Sequence, residues 1–376
     1  MSQTVVIAGG GVIGLSIAWR AAAKGFAVTV YDPDPGRGAS WAAGGMLAPT
    51  AEAYHGEEAV LRLGLASSQR YAAFVRDLEA DAGRDAGYSE QGTLLVARDA
   101  DAAAEIRRLF ALQQAMGLAA EWRTSREIRR LEPALAPTVR GGVWMPTDHQ
   151  IDNRLLLTAL LAACATRGVV IEREPVAEAT ADSVTLSNGK QQRADHVVVA
   201  TGASSPVVVA GETPLTLPVR PVKGQILRLR ATRAAVLPSR TVRGIGVYVI
   251  PRPHGEIAVG ATSEEKGFDT TVTAGGVMDL LRRAWELVPG LAEAELVEAI
   301  AGLRPGSPDN LPIIGAADPR CGGPLVAVGH YRHGVLLAPI TADLVVGLMT
   351  LSLAPDLVEL LAPCAPGRFA PLEAPA

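Results

Sequence analysis

The chain has 376 residues with 48% hydrophobic side chains, a length that predicts two lobes with well-filled interiors rather than one core. Its formal net charge is −4 and it contains only four lysines, which argues against binding to nucleic acid or to an anionic membrane surface. Three widely separated cysteines, Cys164, Cys321 and Cys364, predict neither a disulfide framework nor a zinc site and are typical of a reducing cytoplasm.

The N-terminal segment predicts a β-strand, an α-helix and a second β-strand. Residues 5–8 and 27–31 are short, continuous and β-branched, as buried parallel strands are, and residues 13–24 between them have the spacing of a helix. The first strand follows the N-terminus directly, without a basic region and a separate apolar stretch, so no signal peptide is predicted.

Helices and strands continue to alternate in the middle of the chain. Helices are predicted at residues 59–78, 102–116 and 155–166. Asp152 is expected to cap the third of these helices, and Gly168 is expected to end it. Strands are predicted at residues 169–171, 184–186 and 196–200. The turn Asn188-Gly189 indicates a hairpin before the last of them.

The region after residue 223 changes character. Apolar and polar residues alternate there in segments joined by turns, as in antiparallel sheets, at residues 225–230, 246–250 and 256–260. One helix is predicted at 277–287, and the chain then returns to a strand at 325–328. The apolar stretch that follows, residues 335–353, contains Pro339 and Asp343 and predicts a packed helix rather than a membrane span.

These elements predict an α/β protein of two lobes. A Rossmann-like nucleotide-binding domain is expected to be assembled from residues 1–85, 145–220 and 300–376. A smaller antiparallel-sheet domain, which would hold the substrate, is expected to be inserted into it as residues 86–144 and 221–299.

A glycine-rich turn lies between the first strand and the first helix. The run Gly9-Gly10-Gly11-Val12-Ile13-Gly14 fits the G-x-G-x-x-G pattern, and Asp32 follows the second strand at the expected distance. Gly9 permits the tight turn, Gly11 lets a pyrophosphate approach the backbone, and Gly14 allows the helix to pack closely on the strand. Asp32 is expected to bind ribose hydroxyls. The pattern predicts a bound dinucleotide and leaves NAD and FAD open.

Three further motifs lie outside this turn. The first is the small-residue loop 38–49, which contains Gly44-Gly45-Met46; the second is Gly302-Leu303-Arg304-Pro305; the third is Gly329-His330-Tyr331-Arg332-His333-Gly334. In combination they resemble the D-amino acid oxidase family, and especially its glycine oxidases of thiamine biosynthesis. In that family the loop lies against the flavin ring, the arginine clamps the substrate carboxylate, and the third motif leads into a helix that points at the flavin.

The resemblance covers nearly the whole chain and implies noncovalent FAD, because Cys321 does not lie where related amine oxidases attach their flavin covalently. It implies substrate contacts from Arg304, Arg332 and Tyr248, and neither a catalytic side-chain acid or base nor a metal site. His333 replaces what is usually a small polar residue. The implied cofactor contacts are Gly9, Gly11, Val12, Ile13, Gly14, Asp32, Pro33, Ala39, Ser40, Gly44, Gly45, Met46, Val176, His330, Tyr331, Arg332, His333, Gly334, Val335 and Leu336.

The reaction implied by the resemblance is the oxidation of glycine through an imine to glyoxylate and ammonia, with oxygen reduced to hydrogen peroxide. Ser263 stands where a glycine oxidase can carry a larger apolar residue, so D-amino acids, sarcosine and other secondary amines remain alternative substrates. A flavin-binding protein without oxidase activity and an NAD dehydrogenase remain alternative interpretations. The partners expected are a small amino acid or amine and oxygen, in the cytoplasm, and a homo-oligomer is left open.

Overall fold

The computed structural model describes residues 2–204, 207–210, 213–233, 236–318 and 322–369. Its helices are α1 (Val12–Ala23), α2 (Ala39–Ala42), α3 (Glu58–Ala82), α4 (Ala100–Ala115), α5 (Ser125–Leu131), α6 (Asn153–Thr166), α7 (Ala274–Leu287), α8 (Gly334–Met349) and α9 (Pro355–Leu361). Its strands are β1 (Thr4–Ala8), β2 (Ala27–Tyr31), β3 (Met46–Leu47), β4 (Tyr88–Ser89), β5 (Thr93–Val96), β6 (Glu121–Thr124), β7 (Gly141–Met145), β8 (His149–Ile151), β9 (Val170–Glu172), β10 (Val176–Ala179), β11 (Ser183–Leu186), β12 (Gln191–Arg193), β13 (His196–Val199), β14 (Val207–Ala210), β15 (Thr213–Leu215), β16 (Arg220–Arg230), β17 (Thr241–Gly244), β18 (Val247–Pro251), β19 (Glu256–Gly260), β20 (Glu295–Gly306), β21 (Ile313–Asp318) and β22 (Gly322–Val328).

The N-terminal unit forms the centre of a six-stranded sheet with the strand order β21-β22-β13-β1-β2-β9. All neighbouring strands are parallel except β21 and β22, which are antiparallel at one edge. The central strand is buried on both faces, since Val6 and Ile7 both have almost no exposed surface. Gly9 and Asp32 follow the carboxyl ends of β1 and β2, the edge at which sheets of this kind bind ligands.

Helices cover one face of this sheet and a smaller sheet covers the other. Helices α1, α3, α6 and α8 pack against one another around buried side chains such as Trp19, Phe74 and Leu337. On the opposite face, the sheet β12-β11-β10-β14-β15 shares a core with Val197 and Val326 of the six-stranded sheet. The predicted Rossmann-like α/β fold is confirmed. The N-cap is also confirmed, because Asp152 accepts hydrogen bonds from the amides of the first turn of α6.

Helix α8 is the apolar element that the sequence predicts near its end. The stretch Tyr331–Met349 is long and apolar enough to cross a membrane by length and composition, yet 78% of its apolar window is buried inside the protein. The Ser67 hydroxyl and the Tyr71 phenol, both on α3, donate to carbonyl groups of Leu336 and Val335 at 2.6 and 2.9 Å. The helix is therefore packed in the core and fixed against α3 at its first turn.

The second large sheet has eight strands in the order β20-β16-β19-β18-β17-β5-β7-β6. This sheet corresponds to the predicted antiparallel sheet, but it has more strands than the six-stranded sheet, and one of its pairs, β17 with β5, is parallel. The two strands of that pair are almost 150 residues apart in sequence. Local alternation cannot reveal such a pairing, because it is set by tertiary contacts.

Strand β20 joins the two sheets. It runs from Glu295 to Gly306 and pairs with β16 along its whole length, so the expected domain boundary at 299/300 falls inside it. Its last residue also forms a bridge to His330, in the turn that precedes α8. The strand that carries Arg304 thus lies in the eight-stranded sheet and reaches the helical layer. The assignment of residues to two domains stays a prediction.

Candidate active site

A cavity of about 610 Å³ lies between the two large sheets. Its volume is within the range of cavities that bind cofactors and small ligands. One end is formed by the turn after β1 and by the end of β2, where Gly11 and Asp32 line the wall. The other end is formed by the eight-stranded sheet, where Tyr248 and Arg304 line it. The fold therefore places the dinucleotide motif and the arginine motif in one cavity.

The glycine-rich turn leaves space for a phosphate at the first end. Gly9 has φ +107 and a Cβ there would lie 2.6 Å from the carbonyl carbon of Ala200. A Cβ on Gly11 would approach only the Ser40 hydroxyl, at 3.2 Å, so this glycine leaves the wall of the cavity open. The residue before α1 is Gly11, which has no side chain to cap the helix, and no acidic residue lies in the first turn. The amide of Val12 donates to the Ser40 hydroxyl at 3.0 Å, and the following amides have no side-chain partner among the described residues. The positive end of the helix is thus available to an anion.

Asp32 occupies the predicted position beside this turn. Its two carboxylate oxygens accept hydrogen bonds from the amides of Gly10 and Asp34, at 2.6 and 2.7 Å, and the residue lines the cavity. Each oxygen retains a lone pair for a second donor. The carboxylate is thereby held in one orientation, where it can accept hydrogen bonds from ribose hydroxyls.

The small-residue loop is fixed from behind by polar side chains. Asn153, the first residue of α6, donates to the carbonyl groups of Ser40 and Trp41 at 2.8 and 2.9 Å. The buried guanidinium groups of Arg228, in β16, and of Arg252, just after β18, donate to the next two carbonyl groups of the loop, those of Ala43 and Gly44. With these carbonyl oxygens held by other elements, the backbone of the loop can present its remaining groups to a flat ring in the cavity.

These features fit FAD. The start of α1, without an acidic side chain, and the open face of Gly11 suit the pyrophosphate, and the anchored loop suits the flavin. Thr201 lines the cavity, and its buried hydroxyl has no hydrogen-bond partner among the described residues. A bound cofactor can provide that partner. Burial lowers the pKa of His330 to about 3, so this imidazole is neutral and bonds to the Thr341 hydroxyl at 3.0 Å.

Arg304 lies flat against the backbone of β16. Its Nη1 donates to the carbonyl of Thr262 at 3.1 Å, and a Cβ on Gly224 would lie 2.5 Å from its Cζ. No carboxylate of the described residues lies within ion-pair distance of this guanidinium, although it lines the cavity. The arginine is therefore oriented by backbone groups while its charge remains available to a ligand carboxylate, for which its planar fork is suited.

Tyr248 is held between two glycines beside this arginine. A Cβ on Gly44 or on Gly260 would lie 2.8 or 2.5 Å from its phenol oxygen, so neither position admits a side chain without moving the ring. Burial raises the pKa of Tyr248, and the phenol stays protonated. It can donate a hydrogen bond to an anion in the cavity.

Arg332 and Glu52 complete this end of the cavity. Arg332 Nη2 lies 3.3 Å from Glu57 Oε2, and Glu52 Oε1 lies 3.5 Å from Nη2 of Arg243. Burial opposes the charge on Glu52, but Arg243 and its other cationic neighbours hold the pKa of this carboxyl below its usual value. His333 is buried, its Nδ1 lies 3.3 Å from Glu52 Oε2, and burial lowers its pKa. A carboxylate thus faces the cavity in which Arg304 lies.

Most of the residues predicted for the site line this cavity, and three do not. Gly14, His333 and Leu336 lie outside its wall. A Cβ on Gly14 would clash with the carbonyl oxygen of Gly9, so this glycine serves packing. His333 contacts Glu52, and Leu336 is in the helical core. The predicted residues in the wall are Gly9, Gly11, Val12, Ile13, Asp32, Pro33, Ala39, Ser40, Gly44, Gly45, Met46, Val176, Tyr248, Arg304, His330, Tyr331, Arg332, Gly334 and Val335; their roles stay predictions.

Several residues of the site were not predicted from the sequence. Glu52 lies in a loop without a motif, Arg228 alternates with apolar residues as an exposed strand residue does, and Arg252 follows β18 between two prolines. Only the fold shows that the two arginines are buried, since Arg228 is 1% exposed and Arg252 6%. Cys321, used in the argument for noncovalent FAD, lies outside the described residues. Cys164 and Cys364 are buried away from the cavity wall, and burial raises the pKa of both thiols to about 12.

Comparisons with known proteins identify the family of the chain. The family model of DAO, described as FAD-dependent oxidoreductase, matches residues 4–348. The bifunctional protein ThiO/ThiG of Nostoc sp. is 38% identical over 357 residues, which are 93% of this chain and 53% of that protein. The chain thus spans about half the length of several curated relatives that it matches.

Two solved structures have the same fold. The crystal structure of glycine oxidase from Geobacillus kaustophilus is 33% identical, with a TM-score of 0.87 and coverage of 98% of this chain and 100% of that one. The crystal structure of iminodiacetate oxidase from Chelativorans sp. is 25% identical, with a TM-score of 0.84 and coverage of 97% and 99%. By its sequence from 4 to 348 and by its fold, the chain belongs to the DAO family of FAD-dependent oxidoreductases.

Proposed function

We propose that this protein oxidises glycine with FAD and oxygen, giving glyoxylate, ammonia and hydrogen peroxide, as a step in thiamine biosynthesis. The observation that carries the proposal is Arg304, a guanidinium in the cavity wall that has no carboxylate partner among the described residues. Support comes from the names of two relatives, a glycine oxidase and a ThiO/ThiG protein. We also propose a cytoplasmic enzyme, with FAD held without a covalent bond.

The chain's own residues bind and orient the substrate. Arg304 pairs with the carboxylate through its planar fork, and the protonated phenol of Tyr248 donates a further hydrogen bond to it. The two contacts fix the α-carbon, since in glycine it is bonded directly to the carboxyl carbon. FAD, when bound, would accept the two electrons of the carbon–hydrogen bond and pass them to oxygen. No side-chain base is assigned, and positioning is the contribution of the protein.

The proposal is tested by two measurements on the purified protein. Its absorption spectrum should show the bands of oxidised flavin, and these bands should bleach when substrate is added without oxygen. Peroxide release should then be measured with glycine, sarcosine, D-alanine and D-proline. We expect the highest kcat/KM with glycine or sarcosine. Rapid oxidation of D-proline with no turnover of glycine would contradict the glycine assignment, and no peroxide from any amine would contradict the oxidase assignment.

The role of Arg304 is tested separately. Arg304→Ala should raise KM for glycine by roughly a hundredfold, because a charge-assisted, two-pronged contact is lost. Arg230→Ala, on the solvent-exposed end of the neighbouring strand β16, is a matched control and should leave KM within about twofold. An unchanged KM in Arg304→Ala would show that the carboxylate binds elsewhere.

A further inference from the structure

The charged groups at the substrate end of the cavity form a small set. Arg304, Arg332 and Glu52 line the wall. Behind them, Glu57 lies within ion-pair distance of Arg332, and Arg243 lies within ion-pair distance of Glu52. Three positive and two negative side chains leave one positive charge. That charge is matched by one bound carboxylate, and a second carboxylate would leave the site with an excess of negative charge.

Glu52 is the acidic group in this set that faces the ligand. Its side chain is only 10% exposed, and it lies between Arg243 at 3.5 Å and His333 at 3.3 Å. The backbone that carries it is fixed as well, since the buried carboxyl of Asp148 accepts hydrogen bonds from the amides of Thr50 and Ala51 at 3.1 and 2.7 Å. The carboxylate therefore has a defined position and cannot turn away from an approaching anion.

The fold alone does not prevent a second carboxylate from binding. The iminodiacetate oxidase with a TM-score of 0.84 is named for a substrate with two carboxylates. Selection against such a substrate therefore has to come from side chains in the wall. In this chain Arg332, the other cation at the substrate end of the wall, is already paired with Glu57. Arg304 is then the cation at that end with no carboxylate of the described residues within ion-pair distance.

We infer that Glu52, positioned by Arg243 and His333, restricts the substrate to amines with one carboxylate by repelling a second anionic group. The inference rests on the proposed function and narrows its substrate class. His333 stands where the family usually has a small polar residue. It is a positioning residue, because it contacts Glu52 and lies outside the cavity wall. Glu52 itself is a specificity-determining residue.

The test uses two substrates of equal shape and different charge. Iminodiacetate is glycine with a carboxymethyl group on its nitrogen. Its monoamide has the same number and arrangement of heavy atoms, with one carboxylate oxygen replaced by an uncharged NH₂ group. In the FAD-loaded wild-type protein, kcat/KM for the monoamide should exceed that for iminodiacetate by at least about tenfold, as expected for like charges in a site of intermediate dielectric constant. In Glu52→Gln the ratio should fall to about threefold or less. Sarcosine, which has neither the second carboxylate nor the amide, measures the activity of each variant when no second polar group is present.

Two more variants make the ratio specific to Glu52. Asp34→Asn makes the same change of carboxylate to amide at the opposite end of the cavity and should leave the ratio as in the wild type. Arg243→Gln removes the cation that positions Glu52 and keeps its carboxyl charged, so it should lower the ratio in the same direction as Glu52→Gln. A wild-type ratio near one, or an unchanged ratio in Glu52→Gln and Arg243→Gln, would overturn the inference.

Failure of the proposed function gives a different result. If the wild type releases no peroxide from any amine, binding is measured from the change in flavin absorption on titration with acetate and with malonate. The inference then predicts that acetate binds at least about tenfold more tightly than malonate, and that Glu52→Gln reduces this preference. Equal affinities in the wild type would overturn the inference independently of catalysis.

Discussion

Gly224 is expected to control the position of Arg304, the arginine proposed to bind the substrate carboxylate. A methyl group at this position would have its carbon 2.5 Å from Cζ of Arg304, whereas ordinary contact begins at 3.4 Å, so the guanidinium would have to move by about 1 Å. The residue lies in the middle of β16, paired with Gly302 on β20, and this pairing limits how far the backbone can adjust. Gly224→Ala therefore perturbs the arginine without removing it.

The size of the effect follows from the contact that is lost. Hydrogen bonds to charged groups contribute about 1.5–3 kcal/mol each, and a shift of about 1 Å is enough to break one of the two prongs of an arginine–carboxylate pair. A loss of about 2 kcal/mol corresponds to a decrease of roughly thirtyfold in kcat/KM. The full substitution Arg304→Ala should cost more, since both prongs are lost.

The assay is a double-mutant cycle on kcat/KM for glycine, with Gly224→Ala, Arg304→Ala and the combined variant. If the methyl group acts through the arginine, Gly224→Ala should have little further effect when Arg304 is already alanine. Gly275→Ala on α7 is the matched control, because its Cβ would meet no atom within 4 Å. Additive losses, or a kcat/KM for Gly224→Ala within twofold of the wild type, would refute the reasoning.

Two further predictions concern the cofactor and stability. Gly11→Ala should leave the Tm of the apoprotein almost unchanged but weaken FAD binding about tenfold, because the added Cβ occupies the space for a phosphate. Gly14→Ala should lower the Tm of the apoprotein, because its Cβ would clash with the backbone of Gly9. Equal changes in Tm for the two variants would contradict this prediction. Burial raises the pKa of Asp148 from 3.8 to about 7, so between these pH values the folded state holds a proton that the unfolded state releases. The contribution of Asp148 to the free energy of unfolding should therefore fall by up to about 4 kcal/mol as pH rises from 4 to 7. In urea unfolding with saturating FAD, Asp148→Asn should gain stability relative to the wild type over that range, and parallel pH curves would exclude the effect.

The sequence by itself was sufficient for the local structure of the cofactor end. Strand β2 occupies residues 27–31 as predicted, and α1 and β1 each begin one residue before the predicted start. The reason is that a buried parallel strand, a glycine-rich turn and a helix start all depend on residues close in sequence. The arginine motif could also be recognised, because the resemblance rests on contiguous residues from Gly302 to Pro305.

Tertiary structure decided what surrounds that arginine. Arg304, Gly224, Glu52 and Tyr248 come from four segments that meet only because β16, β18 and β20 are strands of the same sheet and the loop after β3 folds against them. The parallel pairing of β5 with β17 belongs to the same class of contact. No local periodicity encodes such neighbours, because side-chain charge and burial depend on distances across the fold.

His333 shows most clearly the difference between what the sequence predicts and what the tertiary structure decides. In the sequence it is one histidine in a motif, and it was assigned to the cofactor; in the structure it is 4% exposed and lies against Glu52, outside the cavity wall. The sequence by itself determined that the chain carries a dinucleotide motif and an arginine motif, because each is contiguous. Only the fold determined that an acidic side chain, that of Glu52, lines the same cavity as Arg304, because residues that share a cavity can be distant in the chain.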